Sequence, residues 1–359
     1  MKTRTTATIL GSALLLALAA CGTTAPAAST APAGSAAADA TVSGPESPAA
    51  QQSSAGRTDC AADTTTTATG PVTLTDSFGR TVELAQPAQR VAVLEWQQVE
   101  DVLSLCVAPV AVADVAGYTL WDTAAALPAG VADVGTRGEP NLDALFATNP
   151  DLVIVEAYTA DDEIIGQLAG YGVPVLATKG ADAADPIGQM KGTFELIAQA
   201  TGRQERARVV IDEFTAALAQ AKQAVAGTDA AGQTFVYFDG WVQGGNVSIR
   251  PFGQGSLVGE LGEELGLVNA WTGEVDPAYG LGQTDIEGMV AVGDGLLFYT
   301  GTKDPDSDVL AELAKNPIWT SLPAVSGGRA YAFPAGIWTF GGPRSAQQVL
   351  DAYVAHLAG

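Results

Sequence analysis

The sequence predicts an α/β protein of two doubly wound lobes bridged by a long helix, and three observations carry that expectation. Short continuous apolar runs alternate with helical patterns between residues 90 and 177, as in a mostly parallel sheet covered on both faces. Residues 185 to 225 contain no strand candidate but keep an apolar period of helical type. After residue 234 the alternation resumes, so two lobes would face each other across a ligand cleft.

The N-terminal segment stands apart. Lys2 and Arg4 precede an apolar run, Ile9–Ala20, that is too short to span a bilayer and has the form of an export signal. Leu18-Ala19-Ala20-Cys21 ends it. That looks like a bacterial lipobox, which implies cleavage before Cys21, its acylation, and a protein held at the extracytoplasmic face of the cell membrane by lipid alone. Residues 22–68 are Ala, Thr, Ser, Pro and Gly with almost no large apolar side chains, a composition that cannot offset its own ordering entropy and reads as a tether. The expected boundaries are a signal over 1–20, acylated cysteine and tether over 21–68, an N-terminal lobe over 69–184, a bridging helix over 185–226 and a C-terminal lobe over 227–359.

In the first lobe, Val72–Leu84 alternates around Asp76-Ser77-Phe78-Gly79-Arg80 and reads as a hairpin. Strands follow at 90–95 and 110–115, with a helix over 99–105. The run GTRGEPNLDALFATNPDLVIVEAY, residues 135–158, is the most informative stretch. Arg137 and Glu139 sit in a Gly-rich turn, and Pro140 takes a first helical position, where its missing N–H costs nothing. Leu142, Leu145 and Phe146 follow at helical spacing; Asn149-Pro150 stops the helix. Leu152–Val155 is a buried strand, and Tyr158 lies beyond its C-terminal end, where open α/β sheets bind ligands. A helix over 162–169 and a strand over 173–177 complete the lobe.

Phe194, Ile197, Ala198, Val209, Ile211, Phe214 and Leu218 then mark one long helix, or two nearly collinear ones broken at Gly202. In the second lobe strands are expected at 234–238, 295–299 and 329–333, and helices at 256–265, 309–315 and 347–357.

Removing residues 1–20 takes away Lys2 and Arg4 and no acid, so the formal charge moves from −23 to −25. Such a chain lacks the basic face that nucleic acid requires. It suits a neutral or cationic ligand, a basic protein surface, or plain solubility. With Cys21 lipidated, Cys60 and Cys106 remain. Two readings stand: a disulfide pinning the tether to the first lobe, worth ~4 kcal/mol at most on loop-entropy grounds, or a buried Cys106 beside a free Cys60. His356 is the single histidine, and no CxxC, HExxH or EF-hand spacing occurs. A site for bare iron or zinc therefore has no ligand set. A secreted α/β hydrolase would need a nucleophile elbow and a histidine base; Gly253-Gln254-Gly255-Ser256 has the wrong spacing. No enzyme, metal site or cofactor is expected.

The segments 90–96, 118–121, 135–145, 266–274, 316–338 and 340–346 (RVAVLEW, YTLW, GTRGEPNLDAL, GLVNAWTGE, NPIWTSLPAVSGGRAYAFPAGIW and FGGPRSA) together resemble the substrate-binding proteins of bacterial iron–siderophore ABC importers, the periplasmic ferric-hydroxamate-binding family in particular. The resemblance covers residues 72–358. It implies two lobes bridged by a long helix, a shallow aromatic cleft, a ferric siderophore as ligand, and delivery to a membrane permease with its cytoplasmic ATPase by a monomeric binding protein. By motif, Arg137 matches the arginine that meets hydroxamate oxygens and Tyr158 the tyrosine that assists it. Trp96 and Trp121 match aromatics of the N-terminal lobe wall. Tyr279 stands where the family has Trp, and Trp338 and Phe340 where it has Trp and Tyr; near Asp276–Tyr279 the spacing differs by about one residue. Glu139 and Glu260 match the two acids that meet permease arginines. Trp271 and Trp319 are read as core. Catecholate siderophores, cobalamin and haem are the rival cargoes. Besides Arg137, only Arg250 and Arg344 are basic candidates for the cleft, each with a bland alternative: Arg250 as a loop charge, Arg344 as a cap of the last helix.

Overall fold

A computed structural model describes residues 60–243, 246–304 and 308–359. The expected export signal, Cys21 and tether residues up to 59 lie outside them. Among the described residues no helix is long and apolar enough to cross a membrane.

The chain is fastened from its first described residue. Cys60 and Cys106 form a disulfide. Arg203 pairs with Asp63, its Nε donates to the Leu105 carbonyl at 2.8 Å, and the Ala68 N–H donates to the Gly202 carbonyl at 2.8 Å. Residues 60–68, read from the sequence as tether, are thus fastened to the first lobe. The segment lacks core-forming side chains, and a buried guanidinium with backbone hydrogen bonds holds it instead.

β1 (Val72–Thr75) and β2 (Thr81–Leu84) form the expected antiparallel hairpin. The first-lobe sheet comprises β3 (Val91–Val93), β4 (Ala111–Val112), β5 (Ala132–Asp133), β6 (Leu152–Glu156) and β7 (Val175–Thr178), all parallel in the order β5-β4-β3-β6-β7. Helices α1 (Trp96–Ser104), α2 (Val115–Trp121), α3 (Leu142–Ala147) and α4 (Glu163–Ala169) connect the strands.

Three local expectations are corrected. α1 begins at Trp96, three residues before the expected start, because the Glu95 carboxylate accepts the Trp96 N–H at 2.8 Å. The strand expected over 110–115 shrinks to two residues and gives way to α2, whose Gly, Tyr, Thr and Trp are weak helix formers and leave little sequence signal. Trp121 is the last residue of this helix. Asn141, not Pro140, starts α3: its side chain accepts the Ala144 N–H at 3.0 Å, and Pro140 stays outside, bridged to Gly135.

The bridging segment is two helices, α5 (Pro186–Thr201) and α6 (Gln204–Ala226). Between them Gly202 has φ +71°, and a Cβ there would stand 2.9 Å from the Pro87 ring. α5 starts with Met190 in the second-lobe core and ends with Phe194, Ile197 and Ala198 in the first. α6 runs the other way, from Ala207 and Val210 in the first core to Phe214, Ala221 and Val225 in the second. α6 is the long bridge; the pair is a hairpin rather than collinear, because an apolar period reports a buried face and not a reversal of direction.

The second sheet is β10-β8-β11-β12 in order, all parallel, with β9 antiparallel on β8. Its strands are β8 (Thr234–Gln243), β9 (Asn246–Phe252), β10 (Val268–Asn269), β11 (Leu296–Tyr299) and β12 (Ala330–Ala332). Around it lie α7 (Leu257–Glu264), α8 (Val309–Leu313), α9 (Pro317–Ser321), α10 (Pro323–Ser326) and α11 (Pro343–Leu357). β9 places Arg250 on a strand opposite Asp239, not in a loop. α11 begins at Pro343, four residues before the expected start, with proline in its first turn. Trp319 is buried in the core, and Trp271 packs half-buried on the same cluster.

Three acids are buried where α1 meets the start of α11: Glu100 and Asp101 are 0% exposed and Asp122 is 2% exposed. Neither oxygen of Asp101 has a hydrogen-bond partner among the described residues. Burial first, then the neighbouring carboxylates, drives Asp101 and Asp122 well above the ordinary range. For an acid raised on folding, the unfolded chain ionises first, so stability falls as pH rises above its unfolded value near 4. Asp101→Asn is therefore expected to stabilise the protein at pH 7.5, on the order of 1–3 kcal/mol, and to have little effect near pH 4. Thermal melts of both proteins at the two pH values check this; equal melting at pH 7.5 would refute it.

Candidate functional site

The strands of both sheets deliver the site at their C-terminal ends. In the first lobe Glu95 follows β3, Arg137 occupies the turn between β5 and α3, Glu156 is the last residue of β6 and Tyr158 lies two residues beyond. In the second lobe Asp239 and Trp241 extend β8 past its core residues, Arg250 faces Asp239 from β9, and Tyr299 ends β11. Trp338 and Phe340 sit on the segment entering α11.

These residues line two adjoining cavities. One, of about 360 Å³, is walled by Trp96, Trp121, Trp241, Tyr299 and Trp338. The other, of about 340 Å³, is walled by Glu95, Glu156, Tyr158, Tyr279, Trp338 and Phe340. Arg137, Arg250 and Trp338 border both. All seven ligand residues expected from the sequence are therefore at one place: Trp96 and Trp121 in the first cavity, Tyr158, Tyr279 and Phe340 in the second, Arg137 and Trp338 between them.

Edge-to-face rings form a continuous floor. Trp96–Trp338, Trp338–Phe340 and Phe340–Tyr279 have centroid separations of 4.8, 5.2 and 5.6 Å. Trp96 is only 4% exposed, so it serves the core and the cleft together. Each guanidinium lies on this floor with a carboxylate beside it. Arg137 sits 3.8 Å from the Trp96 ring centre and 5.4 Å from that of Trp338, and its Nη1 donates to Glu95 Oε1 at 2.6 Å. Arg250 sits 5.3 Å from the Phe340 ring, and its Nε donates to Asp239 Oδ1 at 2.8 Å. Phe340, which lacks the hydroxyl of a tyrosine, offers Arg250 its face.

Tyr279 crosses the cleft: its hydroxyl donates to Glu156 Oε1 at 2.5 Å. Burial, then the Glu95 charge, pushes the Glu156 carboxyl up to about 7, against the Tyr279 hydrogen bond and Arg137. Burial likewise raises Asp239, opposed by Arg250. Tyr158 stands at the rim, 73% exposed.

Arg344 is elsewhere, paired with Glu213 on α6. His356 stacks on Tyr331 at 4.9 Å, both half-buried at the edge of the second-lobe core. Among the described residues no group of histidine, cysteine, aspartate and glutamate could hold a metal ion. Sequence reasoning does not single out Glu95, Glu156, Asp239, Trp241 or Tyr299. Strand ends were the available signal: the rule that selects Tyr158 applies equally to Glu95 and Glu156.

Residues 91–336 match the model of the periplasmic binding protein family. The chain is 28% identical over 267 residues to the iron(3+)-hydroxamate-binding protein FhuD of Escherichia coli, covering 73% of this chain and 86% of that protein. Among solved structures, FhuD of Vibrio cholerae with Fe3+–Desferal bound superposes with a TM-score of 0.66 at 23% identity, covering 76% of this chain and 98% of that one. The triscatecholate-binding protein FeuA of Bacillus subtilis, in complex with ferri-bacillibactin, superposes at 0.63 with 20% identity, over 79% of this chain and 97% of that one. Those likenesses speak to the fold, and the family match extends over most of the chain: it belongs to the periplasmic binding proteins, a family of binding proteins rather than enzymes.

Proposed function

We propose that this chain is the extracytoplasmic substrate-binding component of an ABC importer, capturing a ferric siderophore of hydroxamate type and delivering it to a membrane permease. The observation that carries the cargo is Arg137, held on two tryptophan faces where the two cavities meet. A guanidinium fork suits the negatively polarised oxygens of the ferric chelate, and the aromatic floor suits its apolar frame. A strongly anionic catecholate fits less well: Glu95 and Asp239 already pair the two guanidiniums, and Glu156 adds a third carboxylate. Iron is cargo here, arriving chelated.

Tryptophan fluorescence tests this, since Trp96, Trp121, Trp241 and Trp338 all line the first cavity. Ferric ferrioxamine, ferrichrome and a ferric catecholate would be titrated, each with its gallium analogue to control for quenching by iron. Saturable binding of a hydroxamate at micromolar affinity or tighter is expected; binding of the catecholate alone would overturn the assignment.

Anchoring through acylated Cys21 and action as a monomer belong to the same proposal. So does permease docking through Glu139, exposed in the Gly135–Pro140 turn, and Glu260, half-buried in the first turn of α7. Each is on a different lobe, as a two-point contact with basic permease loops requires. Glu139→Ala combined with Glu260→Ala is expected to leave siderophore affinity unchanged and to cut cellular uptake severalfold. Normal uptake by the double variant would reject the docking role.

A further inference from the structure

The charges of the second cavity do not balance. Its lining carries Glu95 and Glu156, and its two guanidiniums are Arg137 and Arg250. Arg137 is paired with Glu95, and Arg250 is paired with Asp239. Among the described residues Glu156 has no cation within ion-pair distance, and it accepts the Tyr279 hydroxyl instead. A chelate that occupies Arg137 draws the guanidinium's remaining donors toward its own oxygens. Glu95 and Glu156 then share one guanidinium with the chelate's own oxygens in a half-buried site, an arrangement that costs free energy unless the cargo brings positive charge. The rings of Phe340, Trp338 and Tyr158 line the same cavity, and an aromatic lining also favours a cation. The cavity volume, about 340 Å³, accommodates an alkylammonium arm beyond the chelate.

Resting on the hydroxamate reading above, we propose that the preferred cargo is a ferric hydroxamate bearing a primary ammonium, which seats against Glu156 and Glu95 in the second cavity. The titration of Glu156 gives this a pH signature. The groups around it are Glu95 and Gln98 from the start of α1, Arg137 from the β5–α3 turn, Tyr158 beyond β6 and Tyr279 from the opposite lobe. With its carboxyl at about 7, Glu156 is partly protonated at neutral pH. A bound cation stabilises the ionised form, so ammonium-bearing cargo releases a proton on binding and binds more tightly as pH rises from 6 to 8.

The experiment is isothermal calorimetry on the mature protein at pH 7, in phosphate and in Tris, with three ferric trihydroxamates. Ferrioxamine B ends in a primary amine, its N-acetyl derivative is neutral there, and ferrioxamine E is cyclic with no amine. Ferrioxamine B is expected to bind ~10-fold more tightly than the other two, with a buffer-dependent heat that reports proton release. Glu156→Gln keeps an acceptor for Tyr279 and is expected to collapse the affinity ratio to about one. Equal affinities for all three ligands in the unaltered protein would overturn this inference and leave the hydroxamate reading intact, as would a ratio that survives Glu156→Gln. Failure of all three to bind would overturn both.

Discussion

Replacing Arg137 by alanine is expected to weaken ferric hydroxamate binding by at least tenfold, and by as much as about 100-fold, while the protein stays folded. The magnitude follows from charge-assisted hydrogen bonds, worth roughly 1.5–3 kcal/mol each in a partly desolvated site. Three effects add in the same direction. The chelate loses the guanidinium fork, the Trp96 and Trp338 faces lose the cation lying 3.8 and 5.4 Å from their ring centres, and Glu95 loses its partner at 2.6 Å. Glu95 and Glu156 then lose the guanidinium that offsets them both, which raises Glu156 further and leaves Glu95 to repel an electron-rich chelate. Folding is spared because the Arg137 side chain is one-third exposed, and exposed ion pairs contribute little to stability. Arg137→Lys keeps the charge without the planar fork and is expected to fall between the two. Fluorescence titration beside a thermal melt separates the cases: unchanged affinity in a folded alanine variant would remove Arg137 from the site.

The sequence carries more of the site than of the chain path that builds it. Arg137, Tyr158 and Trp338 are legible because they follow punctuation: a Gly-rich turn, the end of a continuous apolar strand, the turn after Ala335-Gly336. Both sheets are legible for the same reason, since strands such as Leu152–Glu156 and Leu296–Tyr299 are apolar runs covered on both faces. What escapes is whatever depends on a partner that the local pattern does not name. β9 is defined by pairing with β8, and its half-exposed Val247, Ser248 and Arg250 look like loop residues until Asp239 is set opposite. The reversal at Gly202 depends on Pro87 and Ala68 packing against it. Glu156 and Tyr279 lie 123 residues apart, and no local pattern tells either of the other. The buried acids are hidden for a further reason: Glu100 and Asp101 lie on α1 among polar residues that composition would assign to the surface, and only the docked end of α11 removes them from water.

The same buried carboxylate supports the largest expected effect on the fold. Glu100→Ala is expected to destabilise the protein by roughly 3 kcal/mol and to loosen the cleft. Glu100 belongs to the first lobe. Its carboxylate accepts from Gly342 N at 2.9 Å, Arg344 N and Ser345 N at 3.0 Å, and Ser345 Oγ at 2.6 Å. These are the otherwise unpaired donors at the start of α11, where negative charge is also favoured by the helix dipole. α11 in turn contributes Ala346, Val349, Leu350 and Tyr353 to the second-lobe core. One side chain thus fastens the two lobes, so closely that a Cβ on Gly341 would stand 2.5 Å from Glu100 Oε2. Alanine leaves three N–H groups and a hydroxyl without their acceptor, each a loss of about 1–3 kcal/mol when no water replaces it. Against this, removing Glu100 relieves the charge that raises Asp101 and Asp122, which is why the net cost stays below the sum. The functional consequence runs through adjacency: Trp338, Thr339 and Phe340 immediately precede the glycines that Glu100 grips. Releasing that grip frees the centre of the aromatic floor, so ferric hydroxamate affinity is expected to fall severalfold although Glu100 touches no ligand. Glu100→Gln keeps two acceptor lone pairs and is expected to lose less of both. Denaturant unfolding and titration of the two variants check the argument: an alanine variant of undiminished stability would show that Glu100 does not fasten the lobes.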